Sequence, residues 1–264
     1  MYIETERLTL FVAVSGGLEQ HGEILKGRVA MKSWLNPRFM LIPLAALFVY
    51  SSPALAQKYA VPFPRSGAKN TLENRYFSVW DVTFENGKST GMHQLPLDQV
   101  YVFLTEGPVK FTRPDGTWTI EQEKMGAVRY ETKGTVESEE GAGDTSARAF
   151  IFQLKDAVPP KREIVPGIPD KLPREGTVKL FETPRVIIWD YTWLTGMKSP
   201  LHLHYHIDAA VYIVGGKTVV STDQGPRTNN WAVGQVVGGT EPLKAPHQES
   251  QLEGEPRAIS VTLK

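Results

Sequence analysis

The chain has 264 residues, 41% hydrophobic and 10% aromatic, which is enough apolar mass for one or two packed domains and too much for a disordered chain. Lysine plus arginine (29) balances aspartate plus glutamate (29), so no net field draws the chain to nucleic acid or to an anionic membrane, and no nucleic-acid partner is expected. Cysteine is absent, which rules out disulfides, thiolate nucleophiles and iron–sulfur clusters and leaves any metal to histidine and carboxylate.

Met31 begins a segment with a short basic start (Lys32, Arg38), an apolar run from Phe39 to Tyr50 and the small-residue sequence Ala54-Leu55-Ala56. These are the three parts of a secretory signal peptide over 31–56, with cleavage after Ala56 leaving Gln57 first. The apolar run is too short for the roughly 20 residues that span a bilayer, so no integral span is expected after cleavage. Signal peptides begin at the initiator Met, so translation is expected to start at Met31 and residues 1–30 to be a non-native upstream extension. The destination is the periplasm or the exterior.

The remainder repeats itself. At an offset of 109, Glu73–Gly116 matches Glu182–Gly225 without a gap, with identities at Glu73/Glu182, Trp80/Trp189, Asp81/Asp190, Thr83/Thr192, Gly87/Gly196, His93/His202, Val102/Val211, Gly107/Gly216 and Gly116/Gly225. Chance would give about three in such a window. Arg148-Ala149 and Arg257-Ala258 keep the same offset, as do the closing Leu-Lys pairs. The units run from about 72 to 155 and from 181 to 264. Residues 156–180 form a linker whose five prolines forbid a helix. Basic Lys161-Arg162 within it is read as solvating the linker.

Each unit reads as short β-type runs between turn residues: Phe77–Phe84, Val100–Leu104 and Val109–Phe111 in the first, and Arg185–Trp193, Ala209–Val214, Thr218–Ser221 and Ala258–Leu263 in the second. No stretch carries a helical period. The expected class is all-β, as two tandem barrels or sandwiches. Trp80 and Trp189, at matched strand positions, are expected in the core.

Four of the six histidines lie in two short segments, His202, His204 and His206 in one and His247 in the other, with Asp208 close by. Strand alternation puts His202 and His204 on one face, and His247, just before the last strand, can close opposite them. Neutral imidazole plus carboxylate suits Fe, Mn, Ni, Cu or Zn.

These residues resemble the cupin superfamily, and specifically a bicupin. Its first motif, G-x5-H-x-H-x3,4-E-x6-G, falls on Gly196, His202, His204, Asp208 and Gly215, with Asp in place of Glu. The second, G-x5-P-x-G-x2-H-x3-N, keeps Pro242 and His247, but Lys244 replaces Gly, Gln251 replaces Asn and Gly234 comes two residues early. The resemblance covers about 72–264 and implies two jelly-roll barrels with a divalent metal held by His202, His204, Asp208 and His247. Because Asp is a methylene shorter than Glu, Asp208 can instead orient a ligand, leaving three histidines or bringing in His206.

The first copy lacks that set: Leu95 faces His204, Gln99 faces Asp208 and Ser138 faces His247, although a local gap would bring Glu137 or Glu139 there instead. It is expected to be structural or to hold something apolar. The cupin resemblance implies a metal-dependent oxygenase, decarboxylase or isomerase acting on a small organic molecule, with no general base singled out among Tyr205, Tyr212, His206 and Glu249. The alternatives are a non-catalytic protein that binds metal or a small ligand, and a purely structural pair of barrels. Edge strands and neutral charge would allow a homodimer.

Overall fold

The structure is a computed structural model and describes residues 59–239 and 245–264. The upstream extension, the signal peptide with its cleavage point, and Pro242 and Lys244 of the second motif lie outside the described residues. Every named element among them is a strand, and no helix there is long and apolar enough to cross a membrane.

The first half contains β1 (Ala68–Glu73), β2 (Phe77–Phe84), β3 (His93–Gln94), β4 (Asp98–Phe103), β5 (Gly107–Thr112), β6 (Trp118–Glu123), β7 (Val128–Glu131), β8 (Val136–Gly141) and β9 (Ala147–Leu154). The second contains β10 (Thr177–Glu182), β11 (Val186–Thr192), β12 (Asp208–Val214), β13 (Gly216–Thr222), β14 (Gly225–Trp231), β15 (Val236–Gly238), β16 (Gln248–Glu253) and β17 (Arg257–Leu263). Five strands in the order β1-β2-β9-β4-β7 make one sheet of the first half, and β10-β11-β17-β12-β15 repeat that order in the second. The facing sheets are β3-β8-β5-β6 and β14-β13-β16. β1 and β10 start a few residues ahead of the unit boundaries that the identities mark, because main-chain pairing with β2 and β11 builds them with little help from shared side chains.

Period-2 alternation explains the core. In the central strands of the five-stranded sheets both faces are covered, so successive residues point into different apolar compartments. Phe77 and Val79 of β2, Val100 and Val102 of β4, and Phe150, Phe152 and Leu154 of β9 pack with Val186, Ile188, Ala209, Val211, Ile259 and Val261 in one cluster shared by the two halves. The alternate residues turn inward, with Tyr101, Phe103, Ala149 and Ile151 filling the first barrel and Tyr191, Ala210, Tyr212 and Ala258 lining the second. Trp80 and Trp189 correct the expectation of a core role. Both are only partly buried, Trp80 stacking on Phe63 at 4.8 Å and Trp189 lining a small cavity beside His204. The reason is the alternation itself: their neighbours Val79 and Ile188 take the shared cluster.

Four of the repeated residues form a repeated ion pair. Arg148 grips Asp81 through two nitrogens (2.8 and 2.7 Å), and Arg257 grips Asp190 in the same way (3.0 and 2.6 Å). A side chain at Gly234 would meet Arg148 and one at Gly126 would meet Arg257, so each arginine reaches a turn of the opposite half.

Candidate metal centre

Three of the predicted residues come together. His202 and His247 form an antiparallel bridge, each amide donating to the other's carbonyl at 3.0 Å. His204 follows two residues after His202, with ring centroids 5.5 Å from His202 and 5.0 Å from His247. The stretch is a bridge and loop rather than a regular strand, since β12 begins only at Asp208, yet the alternation over 202–204 holds. One ring nitrogen from each of the three lies within 4.8 Å of the others.

Local contacts aim those nitrogens. His202 Nδ1 sits 3.0 Å from the Pro200 carbonyl and 3.3 Å from Ser199 Oγ, and His247 Nδ1 sits 3.3 Å from the Ala245 carbonyl. A carbonyl only accepts, so these contacts assign the proton to Nδ1 and leave Nε2 a lone pair. The Nε2 atoms of His202, His204 and His247 are all buried without a hydrogen-bond partner. Buried polar atoms are normally paired, and three unpaired lone pairs converging on one point form a donor set for a cation. Burial favours the neutral form of two of these imidazoles: desolvation, with Lys171 adding to it, pushes His204 down to about 3, and desolvation lowers His202 as well. Neutral imidazole is the ligating form.

Asp208 is not at the point of convergence. Its carboxylate accepts from Lys171 Nζ at 2.7 Å and from Ser260 Oγ at 3.2 Å, and its other oxygen stands 3.9 Å from His204 Nδ1. Burial, the largest influence, opposes its charge, but Lys171, His204 and the Ser260 hydroxyl together hold the carboxyl below its usual range. His206 also points elsewhere, with Nδ1 2.7 Å from Asp170 and the side chain half exposed. The geometry is that of the three-histidine alternative, with Asp208 beside His204 rather than at the point where the three imidazoles meet.

Asp170 and Lys171 come from the segment that the sequence assigns to the linker. Leu203 donates to Pro169 and Lys171 donates to Leu203, which straps Pro169–Lys171 across the mouth of the second barrel. A cavity of about 490 Å³ opens there onto His202, lined also by Lys171, Arg174, Met197, Ser199 and Gln248. The sequence carries a signal for this strap: Pro173-Arg174-x-Gly176 repeats Pro64-Arg65-x-Gly67 at the same offset of 109.

The first barrel keeps the frame without the triad. His93 Nδ1 lies 3.0 Å from the Gly91 carbonyl and 3.4 Å from Thr90 Oγ1, as His202 lies against Pro200 and Ser199. The bridge partner of His93 is Glu137, which therefore stands where His247 stands in the second copy. The local gap that the sequence allows is real. The interior is not the apolar pocket expected from sequence, for His93, Gln99, Glu137 and Glu139 are all buried in it.

Neither a family model nor a curated protein matches the sequence. Among solved structures the chain is similar to AerE from Microcystis aeruginosa (TM-score 0.53, 11% identity, 78% of this chain and 99% of that one). It is also similar to the Lactobacillus farciminis oxalate decarboxylase formate complex (0.52, 13%, 75% and 80%) and to Bacillus subtilis oxalate decarboxylase with its Mn(II) centres (0.50, 14%, 76% and 76%). The fold is that of the cupin superfamily. In architecture the chain has the bicupin-like arrangement of those structures, two tandem cupin-type β-barrels.

Proposed function

We propose that this bicupin holds one divalent transition metal on His202, His204 and His247 of its C-terminal barrel and uses it on a small organic molecule. The observation that carries the reading is the set of three buried, unpartnered Nε2 atoms within one ion's reach. Asp208, fixed by Lys171 and Ser260, orients and polarises His204 from behind. The cavity opening onto His202 supports a small ligand. A divalent ion there would supply Lewis-acid or redox chemistry to an oxygen-bearing substrate. Because the similar Bacillus subtilis structure has Mn(II) centres, Mn(II) is the first ion to load and decarboxylation of a small acid the first activity to assay.

The test is elemental analysis of the chain from Gln57, purified without a metal-binding tag, beside a His202→Ala/His247→Ala double variant. About one equivalent of Fe, Mn, Ni, Cu or Zn in the parent and none in the variant is the expected result. No metal in either after reconstitution would sink the reading. Export through residues 31–56 is part of the proposal, and Gln57 as the N-terminus of protein recovered from the exporting cell would bear it out.

A further inference from the structure

In the first barrel, Arg65 donates to Glu139 at 2.9 Å, and Glu139 also accepts from the buried Tyr101 hydroxyl at 2.6 Å. The barrel thereby answers its own arginine through Nη1 with its own carboxylate, leaving Nη2 buried without a partner. The equivalent arginine of the second barrel is Arg174. One of its nitrogens, Nη1, is fixed on the Glu175 carbonyl at 2.9 Å and lies against Met197 Sδ at 3.3 Å, and the guanidinium plane stacks on Trp193 at 3.8 Å. Its Nε and Nη2 are buried and have no partner. Those two nitrogens form the edge that grips a carboxylate through two parallel hydrogen bonds.

The register shows why the second barrel leaves that edge unpaired. Glu139 pairs with Phe111, and Glu249 pairs with the matched Val220, so a glutamate does occupy the corresponding place. The hydroxyl that anchors Glu139 is missing, however, because Tyr101 corresponds to Ala210. Exchanging tyrosine for alanine removes both the anchor and a ring's volume from the interior, on the wall next to Tyr191 and Tyr212. The charges leave room for an anion as well. Lys171 is matched by Asp208, whereas Glu249 acts on Arg174 only through its charge and not through a hydrogen bond, so the Nε–Nη2 edge keeps its donors for an anion.

We propose that Arg174 is a ligand-binding residue of the C-terminal barrel, and that its free edge takes the carboxylate of a small organic acid in the cavity shared with His202. The inference names the ligand class for the site proposed above and rests on that barrel being the working one, but the arginine edge exists without a metal. Lys171 is excluded from the role because Asp208 already holds its ammonium group.

The test measures binding of ¹³C-formate, the smallest carboxylate, by line broadening, with uncharged formamide as competitor. Parent, Arg174→Lys, Arg65→Lys and Ala210→Tyr proteins are compared, each metal-free and Mn(II)-loaded, with melting curves to confirm folding. Formate is expected to bind the metal-free parent, to resist formamide, and to bind Arg174→Lys about 10- to 100-fold more weakly, the cost of losing a charge-assisted pair. Arg65→Lys is expected to bind as the parent does. Ala210→Tyr is expected to lose formate while keeping its metal, which separates the anion subsite from the metal centre. Equal affinity in the parent and Arg174→Lys, equal competition by formamide, or binding that depends on Mn(II) alone would overturn the proposal and leave the metal reading standing. Arginine-dependent binding in a chain that takes up no metal would uphold the proposal and remove the metal reading.

Discussion

The two barrels of this chain share sheet order, the repeated Arg–Asp pairs and even the carbonyl that fixes Nδ1 of the first-strand histidine, yet only the second brings three imidazoles to one point. The difference comes from very few positions. Leu95 against His204 and Glu137 against His247 remove two imidazoles from the first copy, and Tyr101 anchors the Glu139 that pairs with Arg65, where Ala210 offers no hydroxyl and the Nε and Nη2 of Arg174 stay unpaired. Frame and function are therefore separable. The frame is held by alternation and main-chain pairing, while the imidazole cluster depends on a handful of inward-facing side chains.

Breaking the comparison from the second barrel should have the largest effect. Asp208→Asn strands the ammonium of Lys171 in a mostly buried place, and losing one partner of such a pair costs about 3 kcal/mol or more. Chemical denaturation should show that loss in full, together with weaker metal retention. The corresponding Gln99→Asn in the first barrel unpairs no charge, and its smaller effect is the control.

Next comes a pH effect confined to the first barrel. Burial, helped by Glu131 and Glu139, raises Glu137 to about 7 from an ordinary value of 4.5. Between those values the folded chain keeps a proton that the unfolded chain has released, so stability falls as pH rises through that window and the deficit is complete above pH 7. Glu137→Gln should reduce the slope, with Glu123, which burial also raises to about 7, keeping the remainder, and should stabilise the protein at pH 8 by on the order of 2 kcal/mol. Denaturation midpoints at pH 5 and 8 check this, and an unchanged slope would count against it.

Metal retention sharpens the comparison from the other side. With His204 depressed to about 3 and His202 lowered, protons compete poorly for these nitrogens, so loaded protein should keep its metal below the ordinary imidazole value of about 6.5. Dialysis at stepped pH followed by elemental analysis reads the midpoint, and loss already complete at pH 7 would contradict it. The smallest expected effect is that of His206→Gln. Its partly exposed pair with Asp170 contributes under about 1 kcal/mol, and metal content should not change.

Much of this was legible before any coordinates. Phe77–Phe84 is a strand to the residue, and the H-x-H spacing with His247 marks the triad. What escaped the sequence has physical causes. Trp80 and Trp189 read as core because strands buried on both faces show no polar alternation to tell which residue faces which compartment. Lys171 stands 37 positions from Asp208 in a segment whose prolines suggest only a spacer, and nothing local announces a pair formed by long-range folding. Arg174 was within reach through the repeated Pro-Arg-x-Gly, but its open edge depends on a missing hydroxyl across the barrel, which spacing alone does not reveal.

The asymmetry of the barrels is tested most directly by native mass spectrometry of the whole protein titrated with Mn(II) and with Zn(II), beside His202→Ala and His93→Ala variants. The account predicts saturation at one ion per chain, lost in His202→Ala and retained in His93→Ala. Two ions per chain, or one ion that His93→Ala removes, would contradict it.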